Sequence, residues 1–310
     1  MVKVGIQSEG WYDHSNAIAS FEYIKSCGFD SVDYNIDEYL DYALCKKMSI
    51  EGICPTLFDR STEELLEFFK PLKEAAEKTG VRIGQMHAPY PCWFDGKEEV
   101  NEYILSALDK CFAICEFVGC PAIVVHPQST DTKAYGWEVN LAFYRRLIPL
   151  IKKYHGVKIC TENIFAHQGI RFTDGRLCNA NEMSLLVDYL NEEAEGDYFG
   201  FCFDVGHAIL TRRDIKEYLK EMGDRVTLLH IHDNNGEDDQ HIIPYSCLYG
   251  TDLHCCDWDG FIEGLREINY QGVLSFETAR IFSAFPKGAH TAALKLISAI
   301  GHDWAERLEQ

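Results

Sequence analysis

The run Gly200-Phe-Cys-Phe-Asp204-Val-Gly206-His207 puts a carboxylate and an imidazole three residues apart, where an aromatic-rich apolar segment gives out. Such a segment has the composition of a buried strand. A charge at the end of a buried strand is costly unless paired, so Asp204 and His207 facing one cavity ask for a metal ion or a proton-transfer partner. The same spacing also fits a plainer role, Asp204 capping the next helix. Other strand-like segments end alike: in His87, in His126, in Glu162, in His230-Ile-His232-Asp233 and in Glu277. One such residue is ordinarily a cap or a packed histidine. The ordered set points to coordination and acid–base chemistry.

The elements that must carry these residues follow from hydrophobic periodicity. Strands are expected over Val2–Ser8, Phe29–Ile36, Val81–His87, Ala122–His126, Val157–Asn163, Tyr198–Asp204, Arg225–His232 and Gly272–Glu277. Helical patterns intervene over Asn16–Cys27, Glu38–Lys47, Glu98–Val118, Trp137–Tyr154, Asn181–Glu193, Asp214–Met222 and Phe261–Ile268, and a last helix covers Gly288–Ile300. Ser61 with Glu64 reads as a capping box opening another helix, closed by Gly80. Strict alternation without a linker predicts one (β/α)8 barrel over residues 1–310, a fold that gathers all its strand C-termini on one face. An open doubly wound sheet would want a Gly-rich phosphate loop after an early strand, and the sequence has none. It also has no Walker motif and no nucleophile elbow.

Composition narrows the function. A net charge of −20 repels polyphosphate backbones, which argues against a nucleic-acid partner. No apolar run has the length of a membrane span, and the N-terminus lacks signal-peptide zones, so a cytoplasmic location is expected. The 13 cysteines form no Cys-x-x-Cys pair and sit in apolar patterns, as reduced, buried small hydrophobes.

From Val2 to Ile300 the chain resembles the sugar isomerase/epimerase superfamily of xylose isomerase-like barrels, in particular its D-tagatose 3-epimerase-like members. That superfamily also contains the endonuclease IV type of repair enzyme. The resemblance rests on Cys160-Thr-Glu162-Asn163, Phe203-Asp204-Val-Gly-His207, His230-Ile-His-Asp233-Asn234 and Ser275-Phe-Glu277. It implies one divalent metal ion held by Glu162, Asp204, His230 and Glu277, with His207 beside the substrate. His230 is chosen over His232 because the family pattern is a His with an acid three positions later, here Asp233. His232 is expected on the other side of the strand, buried in packing or supporting the ligands from behind. Three carboxylates and an imidazole form a hard donor set that suits Mn2+, with Co2+, Mg2+ or Zn2+ as alternatives. His87, His126, Asp239 and His241 fall where the endonuclease IV branch places ligands for further zinc ions, and sugar-acting relatives retain such residues as substrate contacts.

The reading that follows is a metal-dependent isomerase or epimerase of an unphosphorylated sugar, with Glu162 and Glu277 transferring the proton next to a carbonyl and His207 orienting its oxygen. The loop after strand seven carries several acids and no Lys or Arg, and the loop after strand eight offers only Arg280 and Lys287, a poor setting for a phosphate ester. Trp11, Tyr12, Tyr90 and Trp93 are expected at the mouth, where they can stack on a sugar face. A lyase that cleaves 3-keto glycosides by β-elimination, often with a small partner subunit, is the nearest alternative. A three-zinc phosphodiesterase is the more distant one. A homo-oligomer is compatible with either sugar-acting reading.

Overall fold

The computed structural model describes residues 2–128, 133–168, 171–175, 177–249, 253–254 and 256–310. Eight parallel strands, Lys3–Gln7, Arg82–His87 and their counterparts at Ser31–Asn35, Ala122–Val124, Lys158–Glu162, Phe199–Asp204, Val226–His230 and Val273–Phe276, lie in the ring order 8-1-2-3-4-5-6-7. Strands seven and eight meet through the Ile231–Phe276 bridge, where Ile231 N–H donates to Ser275 O and Glu277 N–H donates to Ile231 O. This is the (β/α)8 barrel the sequence predicts. Strands two and six are buried at every position, as expected where helices cover the outside and side chains fill the inside.

Local signals set the helix ends. The Ser61 hydroxyl accepts Glu64 N–H at 3.2 Å and Glu64 Oε2 accepts Ser61 N–H at 2.8 Å, the expected capping box of Thr62–Thr79. Gly80 closes that helix in the left-handed conformation, φ 74°. Four expectations are corrected. The helix anticipated over Glu38–Lys47 is two pieces, a 3-10 turn at Ile36–Tyr39 and a helix at Tyr42–Glu51 whose first turn Asp41 caps at Leu44 N–H. Strand seven stops at His230 instead of His232. The last helix runs on from His290 to Leu308, and the helix after strand four covers Lys133–Ile151.

Three elements between strands and helices were not foreseen. A hairpin, Phe165–Gln168 against Arg171–Asp174, follows strand five. A second, Leu248–Tyr249 against Leu253–His254, lies in the long loop after strand seven, of which residues 250–252 and 255 are outside the described set. A short helix, Val205–Leu210, starts directly off strand six. Among the described residues no helix is long and apolar enough to cross a membrane.

Candidate metal centre

Each strand of the second half of the barrel delivers one donor to the same face. Glu162 and Asp204 are the last residues of strands five and six, His230 is the last of strand seven, and Glu277 directly follows strand eight. The Nδ1 of His230 is their meeting point: 3.4 Å from Glu162 Oε1, 3.5 Å from Glu277 Oε2 and 3.9 Å from Asp204 Oδ2. Asp204 serves both readings of the sequence at once. Its Oδ1 accepts His207 N–H at 2.6 Å and caps helix Val205–Leu210, while its Oδ2 faces the imidazoles of His230 and His232.

Two further groups flank this centre. On one side His87 Nε2 and His126 Nε2 face each other at 3.0 Å, and His126 Nε2 stands 2.9 Å from Glu162 Oε2. On the other, Asp239 approaches His241 Nε2 at 3.1 Å, His207 Nε2 at 3.6 Å and His232 Nε2 at 3.8 Å. His241 has a left-handed backbone, φ 48°, a conformation that costs a residue with a Cβ about 1–3 kcal/mol and is often found at functional sites. Its Nδ1–H donates to Glu277 O at 3.1 Å, which aims Nε2 inward.

The donor chemistry fits a divalent cation. Glu162 and Asp204 are almost fully buried; Glu162 Oε2 has only the His126 ring beside it at 2.9 Å, and Asp239 Oδ1 is buried without a hydrogen-bond partner. Carboxylates so desolvated are strongly disfavoured without a facing cation. The ligand atoms of Asp204, His230 and Glu277 all lie within 4.8 Å of one another, as do those of His87, His126 and Glu162, and of His232, Asp239 and His241.

Residues 21–299 match the family of xylose isomerase-like TIM barrels. The chain belongs to that family. It is similar, at 26% identity over 93% of its length and 90% of the relative's, to the uncharacterized protein y4fM of Sinorhizobium fredii. Its fold is also that of 3-keto-D-glucoside 4-epimerase YcjR from E. coli (TM-score 0.67, 18% identity, 96% of this chain and 100% of that one). A D-tagatose 3-epimerase-like protein is similar to the same degree (TM-score 0.66, 20% identity, 99% and 98%).

In this xylose isomerase-like barrel the electrostatics separate the two carboxylates proposed for proton transfer. Burial raises the Glu277 carboxyl to about 7, against the pull of His230 and His241. Burial acts the same way on Glu162, but His126 and His230 outweigh it and hold Glu162 well below the usual range. Burial works against the imidazoliums of His207 and His230, yet Asp204, Asp239 and Glu162 raise His207, and Cys202 followed by Glu277 and Glu162 raises His230, both well above the ordinary histidine value. His241 rises to about 9, with burial opposed by Glu277 and Asp239. His87 and His232 go the other way, lowered chiefly by burial.

The remaining expectations divide. A cavity of about 470 Å³, of a size that admits a sugar, is lined by Gln7, Glu9, His241, Glu277 and Arg280 among others. Arg280 lines this cavity and is exposed. Tyr90 packs edge-on against His126 at 4.7 Å. Trp11 is corrected: it is buried in the core, its indole N–H donates to Gln7 O at 2.5 Å, and its ring packs edge-on against Phe21. Tyr12 packs inward beside Tyr34, and Trp93 leans on the core. An indole ring in a tight first loop gains more by covering the core than by facing water.

His232 is also corrected. It is buried and backs a ligand, as expected, but not on the far side of the strand: the strand has ended, and its Nε2 lies 3.3 Å from Asp204 Oδ2 while its ring stacks on His241 at 3.9 Å. Gly206 makes room for it: a Cβ there would come within 1.8 Å of His232 Cε1. Cys202 is one layer deeper than Asp204, packed with Ala122, Val124, Cys160 and Leu228, and burial keeps its thiol protonated. Asp233, the acid of the motif, staples the seventh loop: its backbone pairs with Ile242 and its Oδ2 accepts Cys247 N–H.

Sequence reading passed over Asp33 and Gln85, both buried inside the barrel on strands two and three. The available signal was an acid in the middle of a short strand, Ser31-Val-Asp33-Tyr-Asn35, since such a residue is almost never buried unpaired.

Proposed function

We propose that the protein is a divalent-metal-dependent sugar isomerase or epimerase that moves the proton next to a carbonyl of an unphosphorylated sugar. The observation that carries this reading is the pair Glu162 and Glu277, which approach one imidazole nitrogen, His230 Nδ1, at 3.4 and 3.5 Å from strands five and eight. Glu162, Asp204, His230 and Glu277 would hold the ion. Bound there, a divalent cation supplies Lewis-acid polarisation of a carbonyl oxygen and its neighbouring hydroxyl.

The chain's own groups supply the rest. Glu162 stays anionic at neutral pH and is suited to take a proton; Glu277 lines the cavity and titrates near neutrality, which suits it to return one. Because the two carboxylates stand on strands separated by strands six and seven, return from Glu277 to the opposite face of the carbon gives epimerisation. His207, oriented by Nδ1–H donation to Asn163 O at 2.9 Å, presents Nε2 toward the site as a donor for the substrate oxygen. The likeness in fold to a 3-keto-D-glucoside 4-epimerase and a D-tagatose 3-epimerase-like protein supports a ketose or keto-glycoside substrate.

The test is exchange of the substrate α-proton with deuterated water. Glu162→Gln and Glu277→Gln should each lose exchange as well as turnover while the barrel stays folded. Wild-type exchange in both variants would remove the two-carboxylate mechanism.

The flanking groups His87/His126 and Asp239/His241 favour a second reading, a centre of up to three ions in a phosphodiesterase. Elemental analysis of protein purified without added metal separates the two. One ion per chain supports the isomerase reading. Three zinc ions, lost in part on His126→Ala or His241→Ala, support the other.

A further inference from the structure

Histidines in this site are oriented in two different ways. His87, His207 and His241 each point Nδ1 at a backbone carbonyl, of Ala88, Asn163 and Glu277, at 3.0, 2.9 and 3.1 Å. A carbonyl can only accept, so those rings carry hydrogen on Nδ1 and present Nε2 to the site. His230 is turned the other way. Its Nδ1 meets Glu162, Asp204 and Glu277, while its Nε2, buried and without a hydrogen bond of its own, has Oδ2 of Asp33 as a charged neighbour at 3.3 Å.

Asp33 has no part in the ligand cluster and is 2% exposed. Its Oδ2 accepts the amide of Gln85 at 2.9 Å, and that amide reaches Leu229 O, one residue before His230, at 3.3 Å. Gln85 therefore ties the Asp33 carboxylate to the backbone of the strand that carries His230. A buried carboxylate held this way is costly, and replacing it with a neutral isostere would ordinarily be neutral or stabilising if it did nothing but pack.

We propose that Asp33, pinned by Gln85, is a positioning residue that fixes hydrogen on Nε2 of His230 and so leaves the Nδ1 lone pair free for a divalent cation. This rests on the metal-centre reading above. The chemistry is one-directional. An ionised carboxylate only accepts, which stabilises the Nε2–H form of the neutral ring. An asparagine at the same place can donate to Nε2, which stabilises hydrogen on Nδ1 and aims it at the three acids.

The experiment titrates the metal-stripped full chain with Mn2+, in wild type, Asp33→Asn and Gln85→Met, with unfolding midpoints recorded for each. A second readout is the long-range 1H–15N spectrum of the Zn2+-loaded protein, which reports which His230 nitrogen carries hydrogen. The expected result is a folded Asp33→Asn, with an unfolding midpoint no lower than wild type, that binds Mn2+ about 10–100-fold more weakly. In wild type the spectrum should show hydrogen on Nε2. Gln85→Met should weaken Mn2+ by a smaller factor, and it carries the test if Asp33→Asn fails to fold. Wild-type Mn2+ affinity in a folded Asp33→Asn, or in Gln85→Met where that variant stands in, overturns the role of Asp33 and leaves the metal centre standing. Hydrogen on Nδ1 in the wild-type Zn2+ form overturns it as well. Wild type that binds no Mn2+, or binds it equally after Asp204→Asn, overturns the metal-centre reading and the proposal with it.

Discussion

Asn163 and Asp204 exchange two hydrogen bonds of 2.8 Å each: Asn163 Nδ2 donates to Asp204 O, and Asn163 Oδ1 accepts Asp204 N–H. The last register pair of strands five and six is Glu162 with Cys202, so the strands diverge before Asp204 is reached. The asparagine side chain takes the place of the missing ladder bonds and sets Asp204 beside Glu162.

Replacing Asn163 by leucine should therefore leave a buried N–H and a buried carbonyl of Asp204 unpaired, a loss of about 2–6 kcal/mol from two groups at roughly 1–3 kcal/mol each. Urea unfolding measures it. Metal affinity should fall in the same variant, because Asp204 is no longer held at the strand end. An unchanged unfolding midpoint would mean that solvent satisfies both groups and that the pair is not a clamp.

Gly206→Ala should cost about 1–3 kcal/mol, since the new methyl displaces His232 from a packed site. The informative measurement is the double variant Gly206→Ala/His232→Ala. With the imidazole gone the clash is gone, so the two losses should be clearly less than additive. Full additivity would place the strain elsewhere in the helix.

Metal affinity should rise with pH across neutrality. Below about 7 Glu277 holds a proton that an incoming ion must displace, so lowering the pH weakens binding; above it that competition fades. His230, raised well above the ordinary histidine value by Cys202 and its acidic neighbours, goes on competing at higher pH, so the rise should continue beyond 7. Calorimetry in buffers of different ionisation enthalpy should record net proton release at pH 7. Binding without proton release would contradict this.

Free ketoses should be preferred to their phosphate esters. Arg280 is the only Lys or Arg among the residues lining the cavity, and Glu9 and Glu277 stand beside it. A phosphate dianion would meet two acids for one exposed guanidinium on a chain of net charge −20. Comparing kcat/KM for matched free and esterified sugars under one metal condition checks it. A tenfold preference for the esters, about 1.4 kcal/mol in transition-state binding, would reverse the assignment.

The barrel and the face of its site were legible in the chain because both are local properties. Each strand advertises itself by its apolar run, and the residue at its C-terminal end is placed by that strand alone. His87, Glu162, Asp204, His230 and Glu277 could thus be named as neighbours before any contact was known. His241 and Asp239 were legible only through the family resemblance, since they sit on a loop whose path follows no periodicity. The periodic argument misled where the strand had already ended, at His232, and where a bulky ring had the choice of core or mouth, at Trp11.

What the sequence by itself determined is the order of eight strands and the donor at the ends of strands three to eight. Which nitrogen of His230 faces the acids was decided by the tertiary structure, because that depends on Asp33 and Gln85, 197 and 145 positions earlier in the chain, being brought beside it. The same holds for Gly206, whose missing Cβ matters only because the His232 ring passes through that space. Donor identity is written along one strand, whereas donor orientation is set by what the neighbouring strands place at a few ångströms, and ring closure alone fixes those neighbours.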